Sequence, residues 1–423
     1  MRKFMAFSFC FAKPLKPPST ALIRSSLPSS FRVPPSRTMS STTNSTNPPT
    51  RRPSNPSIGW QLLAQKPLAD PTTPFTGKTI LITGANSGLG LAAATKFAAL
   101  NPSRLILAVR NLDSGRAAQR ALQEQLEKTT IHSSQSSGTA GTGHANDNAT
   151  VETKIELWHL DMDSYASIAA FAQRATDELD RLNVAVLNAG VYEVAYGVSA
   201  YGWERTLQVN TLSTALLAVL LLPKLRASAA KRNGGGVGGD GGGPSVLEVV
   251  ASRRAEAVQL TKEQREGSAN VLGPANAVGQ GGYKPSEQYR LSKLLMLGMV
   301  KELAALVDAS EVTVTAVCPG GVATNLSRGW TGVVAGVVKA LVNTLIMRTP
   351  EYAARSVVSG ASLGREASGK LWYDDDLHEL TSLAGEDGQK LADKIWAEVT
   401  DALRREVPAV GDVLKALPGQ QTR

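Results

Sequence analysis

Tyr289 and Lys293, four residues apart in Tyr289-Arg290-Leu291-Ser292-Lys293, are the pair in this chain best suited to moving a proton. The stretch reads as a helix, and positions i and i+4 lie one above the other on one helical face. A lysine ammonium beside a phenol favours the phenolate, so the tyrosine pKa is expected to fall below its ordinary value of about 10. A phenol nearer neutrality can give a proton to a substrate oxygen or take one back. Taken alone, the spacing also suits a half-buried tyrosine beside a solvated lysine.

A second constellation points to a phosphate-bearing cofactor. Thr83-Gly84-Ala85-Asn86-Ser87-Gly88-Leu89-Gly90 joins the apolar run Lys78–Thr83 to the helical stretch Leu91–Leu100. Glycines let the chain turn sharply and let a pyrophosphate approach the backbone, and a helix N-terminus adds free N–H groups and the positive end of a dipole. The spacing is G-x-x-x-G-x-G, which differs from the commoner G-x-G-x-x-G. The next strand-like run ends in Arg110, with no acid at its tip and Asp113 three residues on. An acid there would favour NAD, whereas a guanidinium pairs bidentately with the extra phosphate of NADP. The reading is NADP(H), with NAD as the alternative.

Positioning these groups takes a scaffold, and the periodicity supplies one. Strand-like runs lie at Lys78–Thr83, Arg104–Val109, Ile155–Leu160, Val184–Leu187, Ser245–Val250 and Val312–Val317. Between them lie helix-like segments at Leu112–Glu127, Ser164–Leu182, Gly202–Arg226 and Ser286–Val307. Alternation of this kind means βαβ units and an α/β fold with a doubly wound parallel sheet, the Rossmann arrangement. Unbroken apolar runs such as Val312–Val317 suit central strands covered on both faces. Thr129–Thr150 and the glycine run Asn233–Pro244 read as grown surface loops, and Arg265–Gly282 as a third, polar loop ahead of the Tyr289 helix.

Composition sets outer limits. Of the 45 basic residues, ten precede Asp70, where no acid occurs, which leaves 35 against 36 acids from Asp70 onward. The part expected to fold is near neutral, so no basic face for nucleic acid is implied. Two cysteines and four histidines give neither a disulfide framework nor a metal site. Residues 1–75 are rich in Ser, Pro, Thr and Arg and read as a disordered arm. Their acid-free start also resembles a mitochondrial transit peptide, although prolines break any long amphipathic helix and Met39 could be the initiator. The destination is read as cytoplasmic, with mitochondrial import as the alternative. The run Phe4–Phe11 is far short of the ~20 residues of a membrane span.

With the glycine turn, Arg110 and the Tyr/Lys pair in place, residues 76 to about 375 resemble the short-chain dehydrogenase/reductase family. Thr83–Gly90 is similar to its TGxxxGxG turn. Asp161 stands where the family's acid meets the adenine ring, and Asn188-Ala189-Gly190 matches its NAG motif. Asn210 and Ser252 match the helix asparagine and the serine of its catalytic tetrad, and Tyr289 and Lys293 match YxxxK. Pro319-Gly320-Gly321-Val322-Ala323-Thr324 resembles the PGxVxT segment that wraps the nicotinamide. The resemblance implies catalytic roles for Asn210, Ser252, Tyr289 and Lys293. It implies cofactor contacts from Gly84, Asn86, Ser87, Gly88, Leu89, Gly90, Arg110, Asp161, Asn188, Ala189, Gly190, Tyr289, Lys293, Pro319, Gly320, Val322 and Thr324, and no metal.

In that scheme Tyr289 supplies a proton while Ser252 holds the substrate oxygen as its negative charge grows. Lys293 stabilises the tyrosinate and holds the nicotinamide ribose, and Asn210 binds a water that links Lys293 to solvent. Two departures stand out: 37 residues separate Ser252 from Tyr289, so the loop Arg253–Gly282 must fold away or cover the site, and Arg253-Arg254 follows the serine directly. The apolar run Gly332–Val342, continuing to Met347, lies where the family keeps its substrate flap and suggests an apolar substrate. Gly369–Tyr373 reads as a last short strand and Asp393–Arg405 as an amphipathic helix in a C-terminal extension. Such tails resemble fungal, retinol-dehydrogenase-like members acting on lipids, retinoid-like compounds or secondary metabolites. The family is commonly dimeric or tetrameric through the helix that bears Tyr289. The expected activity is interconversion of a carbonyl and an alcohol; the alternative is a non-catalytic nucleotide-binding scaffold.

Overall fold

The computed structural model describes residues 68–136, 153–230, 243–277, 279, 282–322 and 347–417. The arm up to 67, most of both low-complexity stretches, Thr324 and the proposed flap short of Met347 lie outside them.

Short runs of aliphatic and β-branched residues form one eight-stranded sheet. They are β1 Thr79–Thr83, β2 Arg104–Val109, β3 Lys154–His159, β4 Val184–Leu187, β5 Ser245–Val250, β6 Val312–Val317, β7 Leu371–Tyr373 and β8 Asp376–His378. The order is β3-β2-β1-β4-β5-β6-β7-β8. The first seven strands run parallel, and β8 turns back antiparallel on β7. Chain order reverses beside β1, whose neighbours are β2 on one side and β4 on the other. The loops leaving β1 and β4 therefore part in opposite directions, and a crevice opens at the carboxyl ends of these strands.

Helices cover both faces. α1 Gly88–Ala98, α2 Leu112–Ser136 and a further helix, Pro350–Gly360, lie on the face that carries Ile80, Ile82, Val246 and Val250. The other face carries Leu81, Leu187, Leu247 and Val249 and is covered by α3 Tyr165–Glu178, α4 Arg205–Ala230 and the helix Pro285–Leu306. α4 is apolar and long enough to cross a membrane, but it is almost wholly buried in this core. Between β5 and Pro285–Leu306, the segment expected to be a polar loop holds two short helices, α5 Lys262–Arg265 and α6 Leu272–Asn276. The Tyr289 helix is thus α7, Pro350–Gly360 is α8, and α9 Gly385–Glu406 and α10 Ala409–Lys415 follow β8.

α9 docks on α7, as its stripe Leu391, Ile395, Val399 and Leu403 requires, with all four buried. Gly298 of α7 makes the crossing close: a Cβ there would lie 2.9 Å from Ile395 Cδ1. β8 and α9 lie beyond residue 375, yet β8 belongs to the same sheet and α9 to the same core.

Candidate active site

The turn after β1 is built by glycines that cannot be replaced in place. Gly84 and Gly88 have φ of +67° and +54°, a region that strains any side chain. A Cβ on Gly90 would lie 2.4 Å from the Gly84 carbonyl oxygen and 2.6 Å from Asn188 Nδ2. The turn therefore folds against the end of β4. There Asn188 Nδ2 donates to Thr83 O at 2.8 Å, and the Ala189 N–H donates to Thr83 Oγ1 at 2.9 Å. Ser87 caps α1 without a side-chain bond to it, and Asn86 Nδ2 donates to Ser114 Oγ. The result is a cradle of bare backbone at a helix N-terminus, the shape and polarity that a pyrophosphate needs.

Arg110 sits at the tip of β2 as expected, largely exposed, with Nη1 3.2 Å from Asp163 Oδ2. That carboxylate also takes Arg205 Nη2 at 2.7 Å. Asp161, at the end of β3, is half-buried and accepts the Asp163 N–H.

Three elements bring the tetrad residues together. Asn210 lies in a π-helical turn, Gln208–Ser213, inside α4. Such turns break the regular i→i+4 ladder and recur at functional sites. Its Oδ1 accepts the Val191 N–H at 2.8 Å, and its Nδ2 donates to Val191 O and to Ser292 Oγ. The side chain is therefore engaged in tying α4 to α7 and to the segment after Gly190. A Cβ on Gly190 would meet Asn210 Oδ1 at 3.1 Å and Lys293 Nζ at 3.9 Å, so the bare glycine leaves room for both.

Lys293 is buried, with Nζ donating to the Val250 carbonyl at 2.8 Å, at the end of β5. Ser252, two residues on, caps a short 3-10 turn, Arg253–Ala257, and accepts the Arg254 N–H at 3.3 Å. Tyr289 is half-buried, its ring 5.8 Å from Lys293 Nζ and 5.5 Å from the ring of Tyr192.

One expectation fails here. Lys293 does not pull the Tyr289 phenol down. Burial pushes the phenol up to about 12, with Cys318 and Tyr192 adding to the rise and Arg254 opposing it. The physical reason is on the lysine side as well: burial drives the Lys293 ammonium down to about 8, and its Nζ points to a carbonyl.

The segment after β6 closes the site from a third side. Gly320 has φ of +83°, and Arg348 threads beneath it, donating to Pro319 O at 3.2 Å and pairing with Asp374 at 2.6 Å, almost out of solvent. Val322 forms a parallel bridge to Arg348.

Two sets of residues were not legible as site components. Glu204, fully buried, caps α4 through the N–H groups of Thr206 and Leu207 and accepts from Gln288 Nε2 at 2.8 Å and from the Tyr283 hydroxyl at 3.1 Å. Gln288 precedes Tyr289, so this carboxylate fixes the entry of α7. Its sole sequence signal was an acid just ahead of an apolar helix. The second set holds the loop after Ser252. Lys394 Nζ donates to the carbonyls of Gln264, Gly267 and Ala269, and Glu398, one turn on, accepts the N–H groups of Val271 and Leu272. The loop Arg253–Gly282 is thereby drawn onto α9.

Among the described residues no cluster of histidine, cysteine or carboxylate side chains could hold a metal ion.

A family model for the short chain dehydrogenases matches residues 115–237, which include Asn188 and Asn210 and stop before Ser252. Short-chain dehydrogenase/reductase phmF of Phaeosphaeria nodorum is 39% identical over 352 residues, covering 82% of this chain and 93% of its own. The chain belongs to the short-chain dehydrogenase/reductase family. Another relative, short-chain dehydrogenase/reductase ffsI of Aspergillus flavipes, is 37% identical over 83% of this chain and 93% of its own. Among solved structures, a short chain dehydrogenase from Burkholderia cenocepacia in complex with NADP is similar at 16% identity, with a TM-score of 0.46, over 71% of this chain and 97% of its own. Membership makes this short-chain dehydrogenase/reductase an oxidoreductase that works with a nicotinamide cofactor on a small molecule.

Proposed function

We propose that the chain interconverts a carbonyl and an alcohol on an apolar small molecule, of lipid, retinoid-like or secondary-metabolite type, with NADP(H) as cofactor and Tyr289 as general acid and base. The observation that carries this reading is the convergence of Lys293 Nζ, the Tyr289 ring, Asn210 and the end of β5 beside the glycine cradle. The cofactor would be held by the turn Gly84–Gly90 and by Asn188–Gly190, with Arg110 toward its extra phosphate, Asp161 toward the adenine and Pro319–Val322 along the nicotinamide. When bound it supplies or accepts the hydride.

The residues then divide the remaining work. At neutral pH the Tyr289 phenol is protonated, because burial holds it near 12, so in reduction it stands ready as the donor to the substrate oxygen. Ser252 Oγ, fixed by the cap of its 3-10 turn, presents its hydroxyl to the same oxygen. The charge left on Tyr289 is met by Lys293, which is mostly cationic below about pH 8. Asn210 ties α7 to the segment after Gly190.

NADPH oxidation by the purified protein against a panel of ketones and aldehydes tests this. Some member should be reduced, at a rate that is level up to about pH 8 and falls above it as Lys293 loses charge. Tyr289→Phe should lose about 10²- to 10⁴-fold in kcat while NADPH still binds. Turnover that survives that change would defeat the mechanism, and tight NADPH binding without turnover on any carbonyl would favour the scaffold reading.

A further inference from the structure

Among the described residues, two arginines at the mouth of the site have no acidic partner. Arg254 Nη2 donates to Ser286 Oγ at 2.9 Å, and Arg290 Nη2 donates to the same oxygen at 3.0 Å. Neither guanidinium pairs with a carboxylate among the described residues, and Arg290 Nε is buried without any hydrogen-bond partner. Their neighbours are engaged elsewhere. Arg253 lies over the Tyr373 ring and near Glu256, and Lys284 pairs with Glu287. Two cations drawn to one neutral hydroxyl repel each other, and a buried N–H left unpaired costs free energy. Both costs vanish if an anion sits between them.

The setting admits such a ligand. A cavity of about 530 Å³ is lined by Tyr192, Tyr283, Lys284, Ser286, Glu287 and Arg290, with the Glu287 carboxylate paired to Lys284. Tyr192, which packs on the Tyr289 ring, is part of this lining. Arg254 is two residues from Ser252, and its charge reaches the Tyr289 phenol. The cofactor's phosphates belong at the glycine turn and Arg110, on other strands, and leave these two guanidiniums to the substrate.

We propose that Arg254 and Arg290 form an anion-recognition site, and that the substrate of the reaction proposed above carries a carboxylate that they hold. The planar guanidinium fork suits a carboxylate, whose two oxygens can take one arginine each. An apolar body would then lie along Tyr192 with its reducible carbonyl toward Tyr289 and Ser252. The inference rests on the carbonyl-reductase reading for its chemistry, but the site itself can be probed without turnover.

The test pairs benzoate with methyl benzoate as binding probes, titrated calorimetrically into the NADPH-loaded protein. It pairs para-formylbenzoate with its methyl ester as substrates. Wild type should bind benzoate at least tenfold more tightly than the ester and should show the same order in kcat/KM. Arg254→Gln, at an exposed position that the fold does not depend on, and Arg290→Gln should each weaken benzoate at least tenfold and collapse the acid-to-ester ratio. Equal binding of acid and ester by wild type, or undiminished benzoate binding in both variants, would overturn the proposal. Carbonyl reduction with no preference for acids would also overturn it and leave the catalytic reading standing. Benzoate binding that is lost in the variants, with no carbonyl reduced, would establish the anion site and refute the catalytic reading.

Discussion

On the β1–β4 side of the sheet the site is made of backbone, and on the β5–β7 side it is made of long-range side-chain ties. The glycine turn is tied to the ends of β2 and β4 and to Ser114 of α2, and its shape is set by positive φ angles and by contacts that leave no room for a Cβ. The Ser252 side is held from a distance. Lys394 and Glu398 reach back from α9 to the loop, and Glu204 reaches forward to α7. A cradle whose shape is set by backbone dihedral angles is fixed, whereas a surface assembled from distant side chains can be re-aimed without touching the cofactor. The difference teaches where to expect fixed cofactor binding and where to expect a substrate preference particular to this chain.

The largest effect should come from the backbone side. In Gly90→Ala the new methyl would meet the Gly84 carbonyl, which is backbone and cannot turn aside. Overpacking of this kind costs about 1–3 kcal/mol. A displaced turn should weaken NADPH by about 10²-fold, since misplacement near 1 Å has that scale of consequence. Fluorescence titration with NADPH reads it directly, and affinity within threefold of wild type would show that the cradle is not where the cofactor binds.

Arg110→Gln comes next. Charge-assisted bonds contribute about 1.5–3 kcal/mol, so NADPH affinity should drop roughly 10- to 100-fold with NADH nearly unmoved. Asp163, which already shares Arg205, would keep one arginine and hold the loop after β3 in place. Equal loss for both cofactors would point to NAD as the natural partner and to a structural role for Arg110.

The sheet and its helices were legible in the sequence because buried parallel strands read as unbroken β-branched runs. β2, β4, β5 and β6 fall where the pattern puts them. The glycine turn and the Tyr289/Lys293 pair stood out by local spacing, whereas Asn188, Asn210 and Ser252 were picked out only by the family resemblance. β8 and α8 were not, being a three-residue strand and a short helix whose place is set by packing alone. The Tyr289 pKa was misread because i, i+4 spacing gives proximity but not burial, nor the carbonyl that takes the ammonium. The Lys394 and Glu398 ties span more than 120 residues, and no window of sequence contains both ends.

Those ties make the next prediction. Glu398→Ala removes the acceptor for the first N–H groups of α6, a cap whose loss costs about 0.5–2 kcal/mol. If α9 serves to aim the loop, kcat/KM for the carbonyl should fall several-fold while NADPH affinity stays at the wild-type value. A change confined to NADPH would break the division between the two sides.

The smallest effect on activity should come from Glu248, which lies on β5 between the two sides and touches neither. It is fully buried, facing α8, and among the described residues neither carboxyl oxygen has a hydrogen-bond partner. The fit is tight: a Cβ on Gly360 would lie 2.5 Å from Oε2. Desolvation raises its pKa well above the ordinary 4.5, so the folded protein keeps this proton while the unfolded chain releases it. Above pH 4.5 the unfolded state therefore binds fewer protons, and this group subtracts from stability as pH rises toward the folded pKa. Glu248→Met, similar in length and without the unpaired oxygens, should flatten that part of the pH–stability curve. It should also stabilise the protein at neutral pH by about 1–3 kcal/mol. Denaturant midpoints between pH 5 and 8 measure both, and turnover should not move. A less stable variant with an unchanged pH slope would mean that the carboxyl is hydrogen-bonded in solution.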